Sequence, residues 1–157
     1  MNFLEEIKEI QNDRDNKENI VVNEILDYFK EKMETYRFKA NIKERIKDAI
    51  NKGDKKCILQ VEFWEYHSGC SNTYIYVGGC GKFEISEEKN GSNYKYKEIE
   101  LEKIHKRICS KLNDMLIEKL EELGLKIINS KRRDNDFRFN YYKNEVTISW
   151  EWLKYLK

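Results

Sequence analysis

Hydrophobic positions recur at helical spacing through the first third of the chain and at a period of two soon after it. Phe3, Leu4, Ile7 and Ile10 share one helical face. The polar run QNDRDN then interrupts, and Asp15 and Glu18 stand at capping-box spacing for a second helix. That helix is expected to bury Val22, Ile25, Leu26, Phe29 and Met33. A third is expected from Asn41, burying Ile42, Ile46, Ala49 and Ile50, with Gly53 placed to end it as a C′ glycine.

In CILQVEFWEYH the odd positions Cys57, Leu59, Val61 and Phe63 form one face of a strand, and Gln60, Glu62, Trp64 and Tyr66 form the other. SGCSN reads as a turn. TYIYV continues with Ile75 and Val77 against Tyr74 and Tyr76, GGCG interrupts it, and KFEIS resumes through Phe83 and Ile85. The polar stretch EEKNGSN reads as a loop. A long helix over residues 98–123 follows from the stripe Ile104, Ile108, Leu112, Met115, Leu116, Leu120 and Leu123, with Gly124 ending it. LKIINS is a strand and KRRDND a charged turn. FRFNYY sets Phe137, Phe139 and Tyr141 against Arg138, Asn140 and Tyr142. YKNE has the look of a hairpin turn, and VTISW alternates Val146, Ile148 and Trp150. The order predicts one α+β domain over residues 1–157: a helical part over 1–53, then an antiparallel sheet of about five strands with one long helix packed on it over 54–157.

Composition narrows the functional classes. The 157 residues carry ten tyrosines, seven phenylalanines and three tryptophans, enough to build a core. Thirty basic side chains meet 29 acidic ones, so no global basic field argues for nucleic acid. No apolar run has the length of a membrane span. The acidic, amphipathic start is unlike a secretory signal, so a cytoplasmic setting with reduced thiols is the expectation.

The stretch EYHSGCSNTYIYVGGCG holds His67, Cys70, Cys80 and four of the seven glycines. His67, Cys70 and Cys80 with Cys109 have the residue types of a Cys₃His zinc site, but the CxxC knuckle that marks one is missing. A bridge between Cys70 and Cys80, or a nucleophilic Cys beside His67, are further options. Against these stands a plainer reading, in which Cys57 and Cys109 are small core residues and the glycines bend a sheet corner. GGCG lacks the Lys-Ser or Lys-Thr of a phosphate loop. No cofactor is implied. His105 falls at the edge of the long helix's apolar stripe and is expected at a boundary.

Two constellations suit recognition. Trp64, Tyr66, Tyr74 and Tyr76 fall on one side of a ribbon if their strands pair, opposite the aliphatic face, where either the N-terminal helices cover them or a patch is left for a partner. The run from Lys131 to Lys143 interleaves aromatics with five cations, among them Lys131, Arg132, Arg133 and Arg138, against two acids. With Tyr142 it suits a protein hot spot, or phosphate contact with base stacking; in the plainer reading Phe137, Phe139 and Tyr141 are core and the cations line a solvated hairpin.

KLEELGLKIINS and NEVTISW, a long helix ending in Leu-Gly followed by a strand and a last hairpin closing on Ile-x-Trp, resemble small phage and prophage proteins. Ala49 to Gly53 before the first long strand fits the same likeness. The resemblance implies an accessory factor acting by stoichiometric binding, such as an inhibitor of a host defence system, and carries over no functional residue. The expectation is therefore a non-enzymatic protein-binding module that does not enter the membrane. A small nucleotide- or nucleic-acid-binding module and a zinc- or thiol-dependent enzyme are the alternatives.

Overall fold

The computed structural model describes residues 2–68, 70–86, 101–133, 141–151 and 153, apart from the side chains at 65–68, 70–72, 85–86, 101–103, 132–133 and 141. The order is α1 (Phe3–Met33), α2 (Tyr36–Asn51), β1 (Lys56–Ser68), β2 (Cys70–Val77), β3 (Gly81–Ser86), α3 (Leu101–Glu122), β4 (Lys126–Arg133) and β5 (Tyr141–Ser149).

The five strands form one antiparallel sheet in the order β3-β2-β1-β5-β4. Its inner face carries Leu59, Val61 and Phe63 of β1, Ile75 and Val77 of β2, and Val146 and Ile148 of β5, all fully buried. Against it pack Ile108, Leu112, Leu116 and Leu120 of α3, then Val22, Ile25 and Phe29 of α1. The alternation of β1 and the stripe of α3 thus become the two sides of one core. The fold is α+β, as the pattern predicts.

The first two expected helices are one. α1 runs unbroken for 31 residues, through QNDRDN. The capping box is at its true start: Glu5 N–H donates to Asn2 Oδ1 at 2.8 Å, and Asn2 N–H donates to the Glu5 carboxylate. Inside the helix, Arg14 and Glu18 pair at i,i+4, 3.4 Å apart. Polar residues at helical spacing keep a helix going, and without proline or glycine nothing in QNDRDN stops it. α2 likewise begins earlier than Asn41, capped by the Thr35 side chain accepting from Phe38 N–H. Its Phe38, Ile42 and Ala49 are buried, whereas Ile50 is exposed.

α2 ends as expected. Gly53 takes φ +83, its N–H donates to Ile50 O, and Asp54 N–H donates to Ala49 O, the pair of bonds of a Schellman cap. Gly124 repeats this after α3.

Three expectations in the sheet are corrected. SGCSN is mostly strand, because Tyr66 pairs with Asn72 and Ser68 with Cys70. YKNE is no turn: residues 142–145 lie within β5, paired with β1 on one side and β4 on the other. The run KRRDND begins as strand, since Lys131, Arg132 and Arg133 belong to β4. The consequence for Tyr142 is direct. One continuous β5 has one parity, so Tyr142 shares the inner face with Val146 and Ile148 and is buried, not exposed for binding. It lies opposite Phe63, and the His105 ring stacks on Phe63 at 4.9 Å and meets Tyr142 edge-on. The imidazole is half-buried, at a boundary of the core as expected. In β4 a bulge between Ile127 and Asn129 swaps parity, which leaves Ile127 against the core and Ile128 exposed on an edge strand.

The GGCG run forms a turn between two strands. Cys80 N–H donates to Val77 O at 3.0 Å, closing residues 77–80. Gly79, third in that turn, takes φ +89. Asn41 of α2 donates to Gly79 O at 2.9 Å, so the helix is tied to the turn.

Candidate functional site

The outer face of the sheet is where the predicted aromatics converge. In register, Trp64 stands opposite Tyr74, and Glu62 opposite Tyr76; on the next strand these tyrosines face Glu84 and Lys82. On the other side Glu62 faces Lys143 and Gln60 faces Glu145. Two cross-strand rows result: Lys82–Tyr76–Glu62–Lys143, and beside it Glu84–Tyr74–Trp64.

Strand alternation places every one of these side chains away from the helices that pack on the inner face. Trp64 is exposed and Tyr74 and Tyr76 are partly so. Glu62, Trp64, Tyr74, Tyr76 and Lys82 line a shallow depression of about 440 Å³.

Polar contacts hold the aromatic edges. The indole Nε1–H of Trp64 donates to Glu62 Oε2 at 2.8 Å. Glu62 also faces Lys143, whose Nζ lies 3.9 Å from Glu62 Oε1 and 3.8 Å from Glu145 Oε1. With its amide nitrogen turned to Glu62, Gln60 accepts from Lys143 Nζ at 3.1 Å. Arg45 of α2 reaches round the sheet end and donates to the Tyr76 hydroxyl at 2.5 Å. Lys82 Nζ sits 4.9 Å from the Tyr74 ring centroid, a cation–π contact.

The indole and phenol rings are therefore held before any partner arrives. A contact surface made of held rings loses little rotamer entropy on binding. Such a surface offers flat apolar area with polar edges, which suits an apolar or guanidinium-bearing side chain of a protein partner.

Of the other predicted site residues, Lys131 is exposed on β4 at the register position of Glu145. Arg132 and Arg133 occupy β4 positions opposite Asn144 and Lys143. Their side chains, that of Tyr66, and the whole of Arg138 lie outside the described residues. The structure thus brings together Trp64, Tyr74 and Tyr76, places Lys131 three strands from β2, and withdraws Tyr142 into the core. Sequence reasoning did not single out Glu62, Gln60, Lys82, Lys143 or Arg45. The first four share the parity of the aromatics or of their strand partners, which was a usable signal. Arg45 comes from a helix, and no local pattern marks it.

The thiols do not converge. Cys70 opens β2 and Cys80 lies beyond its end; β2 spans seven residue steps, about 23 Å at strand rise. His67, opposite Ser71, is at the same end as Cys70, while Cys109 is buried in the core on α3. Neither the zinc set nor the Cys70–Cys80 bridge fits that spacing. Burial pushes the Cys57 thiol up, against a smaller opposing effect of Arg45. Burial likewise pushes Cys80 up to about 12, against Lys32. Both are thereby kept as thiols at neutral pH and make poor nucleophiles. Among the described residues, no group of three His, Cys, Asp or Glu could hold a metal ion, and no helix is long and apolar enough to cross a membrane.

Comparison with family models, with curated proteins and with solved structures finds no match for this chain.

Proposed function

We propose that this protein is a stoichiometric binding module that engages a protein partner through the outer face of its sheet. The observation that carries the reading is the cross-strand cluster of Trp64, Tyr74 and Tyr76. It is open to solvent and its edges are held by Glu62, Lys82 and Arg45. Tryptophan and tyrosine are the residues in which binding energy concentrates at protein interfaces. The resemblance in the long helix and closing hairpin adds the expectation that the partner belongs to a host defence complex, which the protein would inhibit by occupying it.

The test is affinity capture from the host with immobilised protein, followed by titration calorimetry of the captured partner. A 1:1 complex is expected, weakened at least about tenfold by Trp64→Ala and by Tyr74→Ala, as for a hot spot of about 2 kcal/mol. Equal binding by wild type and both variants would refute the proposed surface. Binding to an oligonucleotide that falls steeply with salt would favour the nucleic-acid reading instead.

A further inference from the structure

α1 is longer than the body it serves. Its buried residues are Val21, Val22, Ile25, Phe29 and Met33, all in the second half. Phe3, Leu4, Ile7 and Ile10 are 72, 74, 44 and 69% exposed. The spacing of Phe3, Leu4 and Ile7 is repeated by Val21, Val22 and Ile25 eighteen residues later, which is five helical turns. The arm therefore presents the same face of the helix that the second half buries. Gln11 and the Arg14–Glu18 pair separate the two apolar stretches on that face. An isolated helix of this length is marginal in water, and an uncovered apolar stripe on it calls for a groove.

A groove with complementary properties lies at the far end of the molecule. Between the end of α2 and the starts of β1 and β4 there is a cavity of about 870 Å³. Its floor includes Ala49, Ile58 and Ile128, the last two 43 and 51% exposed, and its rim carries Lys52, Lys55 and Lys56. Four cationic side chains line it against three carboxylates. The charge of the chain divides in the same sense. Residues 2–18 hold six acids and three bases, net −3; with +1 for the whole chain, the remainder is +4.

The arm cannot fill its own groove. The Met33 end of α1 is the end near the groove: Lys32 and Arg45 line one depression there, and Arg45 also lines the groove. Thirty-one helical residues put Phe3 about 46 Å away from that end.

We propose that the arm of one copy docks its Phe3–Leu4–Ile7–Ile10 stripe in the α2–β1 groove of a second copy. The mode is an amphipathic helix in an apolar groove with a basic rim. Donor and acceptor surfaces differ, so the contact is heterologous and propagates head to tail into a ring or a chain of copies. The groove does not include Trp64 or Tyr74, so it is separate from the surface proposed above.

Sedimentation velocity on the full chain, from about 5 to about 200 μM, reads this out. The wild type is expected to show species larger than the 19.1 kDa chain, growing with concentration. Ile7→Glu removes the donor and Ile58→Glu or Ile128→Glu the acceptor. All three positions are exposed, and circular dichroism checks that each variant folds. Each variant alone should be a monomer. An equimolar mixture of Ile7→Glu with a groove variant retains one intact arm and one intact groove, so it should form a dimer and stop there. A wild type that stays monomeric throughout overturns the proposal. So does a mixture that fails to associate, and so do groove variants that self-associate on their own, which would assign the arm to arm–arm pairing.

Discussion

Replacing Gly79 by alanine tests how α2 is held against the site. Gly79 has φ +89, where an added Cβ costs about 1–2 kcal/mol in the left-handed region. The Cβ would also stand 2.8 Å from both Ile42 Cδ1 and Phe38 Cε2, two buried side chains of α2. Overpacking of that kind costs about 1–3 kcal/mol, so the total expected loss is about 2–5 kcal/mol. Gly53→Ala and Gly124→Ala supply the reference. Both have positive φ, +83 and +85, with nothing within 4 Å of the added Cβ, so each should lose only the backbone part, about 1–2 kcal/mol. Urea unfolding with equal m-values isolates the difference. In the Gly79→Ala background, Ile42→Val removes the clashing Cδ1 and should recover part of the loss. The same helix carries Asn41 to the turn and Arg45 to Tyr76, so the variant should also weaken partner binding. Equal losses for Gly79→Ala and Gly53→Ala would refute the close approach of helix and turn.

Two further outcomes follow from buried groups. Tyr142→Phe removes the hydroxyl that accepts from Asn144 Nδ2 at 3.1 Å and should cost about 1–3 kcal/mol in urea unfolding, because that donor is buried; partner affinity measured on the folded variant should not change. Cys57 and Cys80 should resist alkylation at pH 8 in the native state. Their folded pKa values are raised, so the unfolded chain loses these protons first. Their contribution to stability is whole below the ordinary thiol pKa and declines as pH rises through the raised folded values, for Cys80 up to about 12. A Cys57→Ala, Cys80→Ala variant should show a flatter alkaline decline in the urea midpoint, and an unchanged slope would contradict the burial argument.

Much of the architecture is written in local periodicity. The alternation from Cys57 to Val77 specifies two strands and their buried faces. Pairing them in register is enough to put Trp64, Tyr74 and Tyr76 side by side. The stripe of α3 and the glycine stops at Gly53 and Gly124 are equally local, because helix faces and left-handed caps depend on residues within a turn of each other. In two places a polar run does not mark a break. QNDRDN is solvated helix, and YKNE is strand whose Asn144 is buried opposite Val61. A polar residue marks a turn only if no neighbouring element offers it a place, and that is not a local property.

The amino-acid order by itself determined the apolar stripes of the helices, the glycine stops after α2 and α3, and the alternating faces of β1 and β2, since each follows from spacings of two to four residues. Only the tertiary structure decided the rest. It set the parity of β5 that buries Tyr142, the separation of Cys70 from Cys80, the reach of Arg45 to Tyr76, and the uncovered half of α1. Each of these depends on contacts between residues tens of positions apart. Such contacts are selected by the packing of whole elements, about which a short window of sequence carries no information.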